Sequence, residues 1–473
     1  MENLLSITGF LSQFGSILVA VLVLLITITI HEFGHYIVGK LLKFKINEFA
    51  IGMGPAIFKK TLKNGQIFSI RILPLGGFCS FAGEDEEVPK TQEEAVEKAV
   101  DNYDPNAFNN KKPWQRILVL IAGASVNFIF AVILIVSNFA IFGHTAYSVY
   151  ETMPTAGYSY SLQQGDTITA VDGNYVYLSV DLIKSLSGKK QGDIVDVSIV
   201  RNGEKITVPV ELRCDVNPSG LTDYGDVFES LGVASVPFIR TSETSLLPNE
   251  QYLLRFNDGA TYQECSRIYK KENLVEYFAD KKAGDVIGVW VSTDDETAEN
   301  GRMLMEIVLN ESFDSIDKSD YKAIFEYFGI EQMGYSYQLE NTTVKLSFGE
   351  LIYRPIVYSF KTIGLTFESI GGMFKGTVPL DSVTGPIGTI SLTADYVGLG
   401  FNYLLEIASL IGISVAIFNL LPIPALDGAR TIFTVIEWIR GKPINRKVEA
   451  IIHAVGLFLL LGIAIFFDIL HIF

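Results

Sequence analysis

His31-Glu32-Phe33-Gly34-His35 closes an apolar run that begins near Ile17, and these five residues decide how the rest of the chain is read. In a helix, residues four apart project from one face, so the two imidazoles can chelate a single Zn2+. Glu32, next to the first ligand, is placed to take a proton from a metal-activated water and hand it to a leaving amine. Such a site needs a third protein ligand and one open position. A single His or Glu at membrane depth would read equally as a bundle residue or a proton relay, since charge in lipid is costly and usually functional. Three of them in five positions favour a metal.

Outward from this motif, four segments are long and apolar enough to cross a bilayer, at about 11–38, 114–143, 402–422 and 449–470. Lysine and arginine concentrate between the first two (Lys40, Lys43, Lys45, Lys59, Lys60, Lys63, Arg71, Lys111, Lys112) and between the last two (Arg430, Arg440, Lys442, Arg446, Lys447). The positive-inside tendency puts both connections in the cytoplasm. Both termini and the stretch from about 145 to 350 are then expected outside it. The third ligand is expected from Asp427, in Asn419-Leu420-Leu421-Pro422-Ile423-Pro424-Ala425-Leu426-Asp427-Gly428. Two prolines interrupt a membrane helix just before this carboxylate, and broken backbone at that depth belongs in protein or beside a water-filled cavity. The alternative is an acidic residue at the cytoplasmic end of a span.

Composition agrees with this frame. Hydrophobic residues make up 49% of 473, and the formal charge of −16 excludes a phosphate-binding surface as the chain's main partner, so no nucleic acid is expected. Cys79, Cys214 and Cys265 form no CxxC motif and no disulfide framework, leaving Cys214 and Cys265 as the one candidate pair. The first apolar stretch lacks a basic leader and a small-residue cleavage site, so it is read as a span and not as a removable signal.

Between the first two spans, Ile46 to Ala82 alternates as strands broken by Gly52-Met53-Gly54-Pro55, Lys63-Asn64-Gly65 and Pro74-Leu75-Gly76-Gly77, which predicts a β-hairpin region. Residues 84–110 turn acidic and polar, as a solvated surface segment does. The outer stretch carries one pattern twice: a strand, an Asp-Gly turn, a short helix and an alternating strand. The first copy runs from Gly165 to Gly203, the second, less regular, from Tyr252 to Val291. This order resembles a tandem pair of PDZ domains, whose grooves take extended peptides as an added strand. The expected division is 1–145 (spans one and two with the hairpin), 146–220 and 221–345 (PDZ-like), 346–400 (juxtamembrane) and 401–473 (spans three and four). Segment 350–376 is read as an amphipathic helix at the outer membrane surface, with a fifth span as the alternative.

With HEFGH in the first span and NLLPIPALDG at the end of the third, the chain resembles the site-2 protease family of intramembrane metalloproteases. The two inserted PDZ-like domains are similar to those of its bacterial regulator-of-sigma-E branch. Gly52-Met53-Gly54-Pro55, Arg71 to Phe78, Ala122-Gly123 with Asn127, and Gly385-Pro386-Ile387-Gly388 stand in family order. Departures occur at Ala124-Ser125, where the family often has proline, and at Ala429-Arg430, where Gly-His is common. The resemblance implies a bacterial plasma-membrane enzyme with zinc on His31, His35 and Asp427, and with Glu32 activating water. It implies that Asn419 assists at the site and that the hairpin near Gly76 and Gly77 pairs with unwound substrate. Asn127 approaches the same cavity, with helix packing as the alternative. Single-span membrane proteins are the implied substrates, of the anti-sigma-factor or signal-peptide-remnant kind. A non-catalytic membrane scaffold presenting PDZ grooves is the rival reading, and the intact Glu32 speaks against it.

Overall fold

The computed structural model describes residues 2–84, 104–217, 225–292, 301–376, 378, 384–442 and 444–472. Most of the acidic stretch, 85–103, and the expected boundary at 220/221 lie outside the described residues. The chain divides into two compact units, 1–144 with 345–473, and 145–344.

The first unit is built on helices α1 (Glu2–Leu41), α2 (Pro113–Ile141), α7 (Phe348–Lys375), α8 (Pro386–Leu399), α9 (Phe401–Leu420), α10 (Asp427–Arg440) and α11 (Arg446–Ile472). Four stretches are long and apolar enough to span a membrane: Phe14–Leu41, Pro113–Ile141, Phe401–Leu420 and Lys447–Ile469. They fall within three residues of the expected limits, because a helix apolar on all sides declares itself in sequence by length alone. Helix α7 is not among them. Helices α1 and α2 cross where side chains are absent. A β-carbon on Gly34 would lie 2.5 Å from the Ala122 carbonyl oxygen, so the backbones touch there.

Strands β1 (Ile46–Thr61) and β2 (Ile67–Phe81) form the expected hairpin around Asn64-Gly65, with Gly65 at φ +82° and Leu62 N–H donating to Gln66 O at 2.7 Å. Its topology is more than a simple pair. The start of β1 is bordered on both sides by β2: Phe49 pairs with Phe68 and with Cys79, and Ile51 with Ile70 and with Gly77. The last five residues of β2, Gly77 to Phe81, therefore make one edge of this small sheet. Phe49 stands 5.3 Å from the Tyr36 ring and 6.5 Å from Phe33, which fastens the sheet to α1 at the HEFGH motif itself.

The second unit is β-rich. One sheet has the order β13-β3-β4-β6-β7, with the two-residue β5 beside β4; the other has the order β11-β10-β9-β8-β12. The first uses β3 (His144–Val149), β4 (Thr167–Val171), β5 (Asn174–Tyr175), β6 (Ile194–Arg201) and β7 (Glu204–Glu211), and α3 (Ser179–Leu186) buries Leu182 and Leu186 in its core. The second uses β8 (Ser235–Thr241), β9 (Gln251–Phe256), β10 (Val286–Ser292), β11 (Arg302–Val308) and β12 (Ile330–Tyr337). Helices α5 (Lys271–Phe278) and α6 (Tyr321–Phe328) pack in its core, and the short α4 (Gly225–Ser230) precedes it. Each repeat thus shows the expected strand, helix and strand. One element departs from a division at 221–345: β13 (Leu339–Val344) leaves the second sheet and joins β3 in the first. All three cysteines are free thiols, so Cys214 and Cys265 do not pair.

Candidate metal centre

The imidazoles of His31 and His35 meet edge to face, with Nε2 to Nε2 at 3.1 Å. Asp427 comes to them from the first turn of α10, its Oδ2 3.0 Å from His31 Nε2 and 3.2 Å from His35 Nε2. Three donors thus converge from two elements nearly 400 residues apart in sequence. A tetrahedral zinc with bonds of about 2.1 Å spaces its donors by about 3.4 Å, close to the triangle seen here. The chemistry of the set fits as well. His35 donates from Nδ1 to the Val119 carbonyl at 2.8 Å, which leaves Nε2 with its lone pair toward the centre. The Asp427 carboxylate brings an oxygen donor to the same point as the two Nε2 atoms. Among the described residues this is the one cluster of histidine, cysteine and acidic side chains with metal-binding spacing.

Backbone closes the far side of the centre. A β-carbon on Gly123 of α2 would lie 2.5 Å from His35 Nε2 and 2.8 Å from His31 Nε2, so only glycine leaves room for both rings. Asn127, one turn further along α2, is fully buried, with Nδ2 3.5 Å from His31 Nδ1 and with Oδ1 lacking a partner. Exchanging the amide N and O would place Oδ1 as acceptor for His31 Nδ1–H and put Nδ2 in the unpartnered position.

Glu32 faces the edge of the small sheet. Its Oε2 accepts the Cys79 backbone N–H at 2.9 Å, and Gly77 is close enough that a β-carbon there would lie 3.5 Å from Glu32 Cγ. Gly76, at φ +88°, packs instead on Met53. The Cys79 thiol is not among the donors that converge here; burial first, then the charges of Glu32 and Glu84, push it far above the ordinary thiol range. A cavity of 510 Å³ opens beside the centre, lined by Glu32, Phe78, Cys79, Asn419, Leu426 and Arg430 among others. Asn419, on the last turn of α9, donates from Nδ2 to Val415 O at 3.0 Å. Arg430 pairs across the cavity with Glu84 at 2.6 Å.

The structure therefore brings His31, Glu32, His35, Asp427, Asn419 and Gly77 to one place, sets Asn127 behind His31 and leaves Gly76 further out. The Cys79 N–H and Gly123 went unread as site elements because both act through backbone, which one sequence does not mark.

Fold and site together define a membrane protein built around a metallohydrolase centre. The comparisons sharpen that class. The model of peptidase family M50 matches residues 19–463. The regulator of sigma E protease of Haemophilus influenzae is 26% identical, over 97% of this chain and 98% of its own. The regulator of sigma-E protease of Escherichia coli is 27% identical, over 97% and 99%. A protein of Agrobacterium fabrum, provisionally named a zinc metalloprotease, is 24% identical over 98% and 97%. The chain belongs to peptidase family M50, the site-2 protease family of zinc-dependent metalloendopeptidases.

Proposed function

We propose that this chain cleaves single-span membrane proteins within or beside the bilayer, with His31, His35 and Asp427 as the zinc ligands and Glu32 as general base. The observation that carries the reading is the convergence of Asp427 Oδ2 on both imidazoles, 3.0 and 3.2 Å away, beside a cavity that Glu32 also lines. Zinc, when bound, supplies Lewis-acid activation of the attacking water and of the scissile carbonyl. Glu32 takes the proton of that water and delivers it to the leaving amine, and the Cys79 N–H fixes its carboxylate in reach. Asn419, at the cavity wall, assists by contacting substrate backbone.

A membrane helix hides its carbonyls in hydrogen bonds and must unwind before cleavage. Segment Gly77 to Phe81 offers the replacement bonds. Backbone groups alternate sides along a strand, so the outward groups of Gly77 lie on the same edge as the Cys79 N–H that meets Glu32. Substrate added along that edge runs directly past the general base. The β-rich unit 145–344 is proposed as two PDZ-like domains on the extracytoplasmic side, as are both termini. There it docks extended peptide segments of substrates or excludes those with large outer domains.

The test is cleavage of a single-span model substrate in detergent by the wild type and Glu32→Gln, with zinc content measured on both. The reading requires zinc in both and a loss of about 10²–10⁴ in rate in the variant. Equal cleavage by both removes Glu32 from the mechanism; a well-folded wild type without zinc leaves a scaffold.

A further inference from the structure

The segment that carries the chain from α9 to Asp427 has a shape of its own. Pro422 and Pro424 remove two backbone donors, so no helical ladder can hold it. Two short contacts remain within it, Ile423 N–H to Leu421 O at 2.7 Å and Leu426 N–H to Ile423 O at 3.1 Å. Between them Ala425 sits at φ +79°, a left-handed conformation that a residue with a β-carbon adopts rarely and at a cost. Local sequence does not favour this conformation, so another element has to impose it.

That element is α11. His453 Nδ1 accepts the Ala425 N–H at 2.8 Å. Three residues on, Gly456 lies against Pro424 so closely that a β-carbon would fall 2.3 Å from Pro424 Cβ and 2.7 Å from its carbonyl oxygen. Residues three apart share a helix face, so the missing side chain and the imidazole together cradle the Pro424-Ala425 step. Phe433 of α10 meets the imidazole edge to face at 5.5 Å and fixes its plane. A leucine at 453 would fill the space but leave the Ala425 N–H without its acceptor, which is expensive away from water.

We propose that His453 is a positioning residue for the metal centre. By holding Ala425 in the left-handed region, it sets the direction in which the chain enters α10 and hence where Asp427, two residues later, presents Oδ2. The inference rests on Asp427 being the third ligand. It assigns α11, the last span, a role at a site to which it contributes no ligand.

The experiment uses the full chain in detergent and three variants: His453→Leu, which keeps bulk and loses the acceptor; His453→Gln, which keeps an acceptor; and His453→Leu combined with Ala425→Gly. Zinc affinity is measured by chelator competition, and amide exchange of 421–427 is followed in the metal-free protein. His453→Leu is expected to bind zinc about 10-fold to 100-fold more weakly, the range for lost ligand-orienting contacts, and to exchange faster at Ala425. His453→Gln loses less. The glycine recovers affinity in the double variant because it needs no help to stay left-handed. Wild-type affinity in His453→Leu, or a double variant no better than His453→Leu, overturns the proposal. Absence of zinc from the wild type itself would instead remove the metal-site reading on which the proposal stands.

Discussion

A β-carbon on Gly123 would stand 2.5 Å from Nε2 of His35, so α2 presses bare backbone against the two imidazoles. In an ordinary helix interior, Gly→Ala stabilises by about 1 kcal/mol. Here the same change must push one or both rings off the centre. Gly123→Ala is expected to keep its helical content and lose zinc affinity by about tenfold or more, with activity falling in step. Chelator competition on the purified variant checks it. Full zinc affinity would mean the rings have room that the structure does not show.

Glu32 is held by a backbone group and not by the side chain that follows it in space. Cys79→Ala keeps the N–H and should cleave a model substrate within about twofold of wild type, because the interaction that orients the base survives intact. Cys79→Pro removes that donor and should slow turnover far more than it raises KM. Equal losses in both variants would show that the thiol, and not the N–H, matters at the cavity wall.

Removal of the metal separates ligand from base. Structural zinc sites are worth roughly 10–16 kcal/mol, or about 3 kcal/mol for each of four ligand positions, near 100-fold in affinity. Asp427→Asn should therefore need about 100-fold more free zinc to reach half occupancy, whereas Glu32→Gln should need no more than wild type. Chelation should abolish cleavage by the wild type, and added zinc should restore it. Unchanged zinc binding in Asp427→Asn would exclude this carboxylate from the centre.

Much of this was legible in the sequence, for physical reasons that differ by element. The four spans needed only length and apolarity. His31 and His35 needed only the helical repeat, and Asp427 was marked by the prolines ahead of it. Asn64-Gly65 gave the hairpin. What escaped were relationships made by backbone or by distant pairing. The doubling of β2 around β1, which puts Gly77 to Phe81 on the edge beside Glu32, has no local signature. Nor has the return of β13 to the sheet of β3, which depends on pairing strands nearly 200 residues apart. Helix α8 was not read within the 346–400 segment, although Pro386 stands at its first turn; Asp468 of α11 caps its start, accepting the Gly388 N–H at 2.9 Å. His453 showed nothing unusual beyond a polar residue in a span.

The β-rich unit has its own dependence. Asp166 is fully buried and takes Arg201 in a two-pronged pair, Nε to Oδ1 at 2.6 Å and Nη2 to Oδ2 at 2.8 Å, with the Gln163 N–H also donating to Oδ2. Breaking a buried pair from one side costs about 3–5 kcal/mol. With Arg201 partly exposed, the lower end applies. Asp166→Ala should speed amide exchange in β4 and β6 by about 100-fold. Exchange at wild-type rates would mean the pair contributes little to this sheet.

The ion pair between Arg430 and Glu84 tests how far the hairpin edge is fixed from the opposite wall of the cavity. Arg430 stands three residues after Asp427, and Glu84 follows β2 and also accepts the Phe81 N–H at 3.3 Å, so the pair ties the edge strand to α10. Its arginine is 40% exposed, which places it with surface pairs worth about 1 kcal/mol at most, roughly fivefold in rate or binding. Arg430→Ala and Glu84→Gln should each raise KM for a single-span substrate by up to about fivefold and leave turnover nearly unchanged. Exchanging the two charges, Glu84→Arg with Arg430→Glu, should restore part of the loss. Turnover slowed by about two orders of magnitude in Arg430→Ala is more than a tie of this strength can explain. It would mean that the guanidinium touches the reacting atoms, and Arg430 would then join Glu32 in the chemistry.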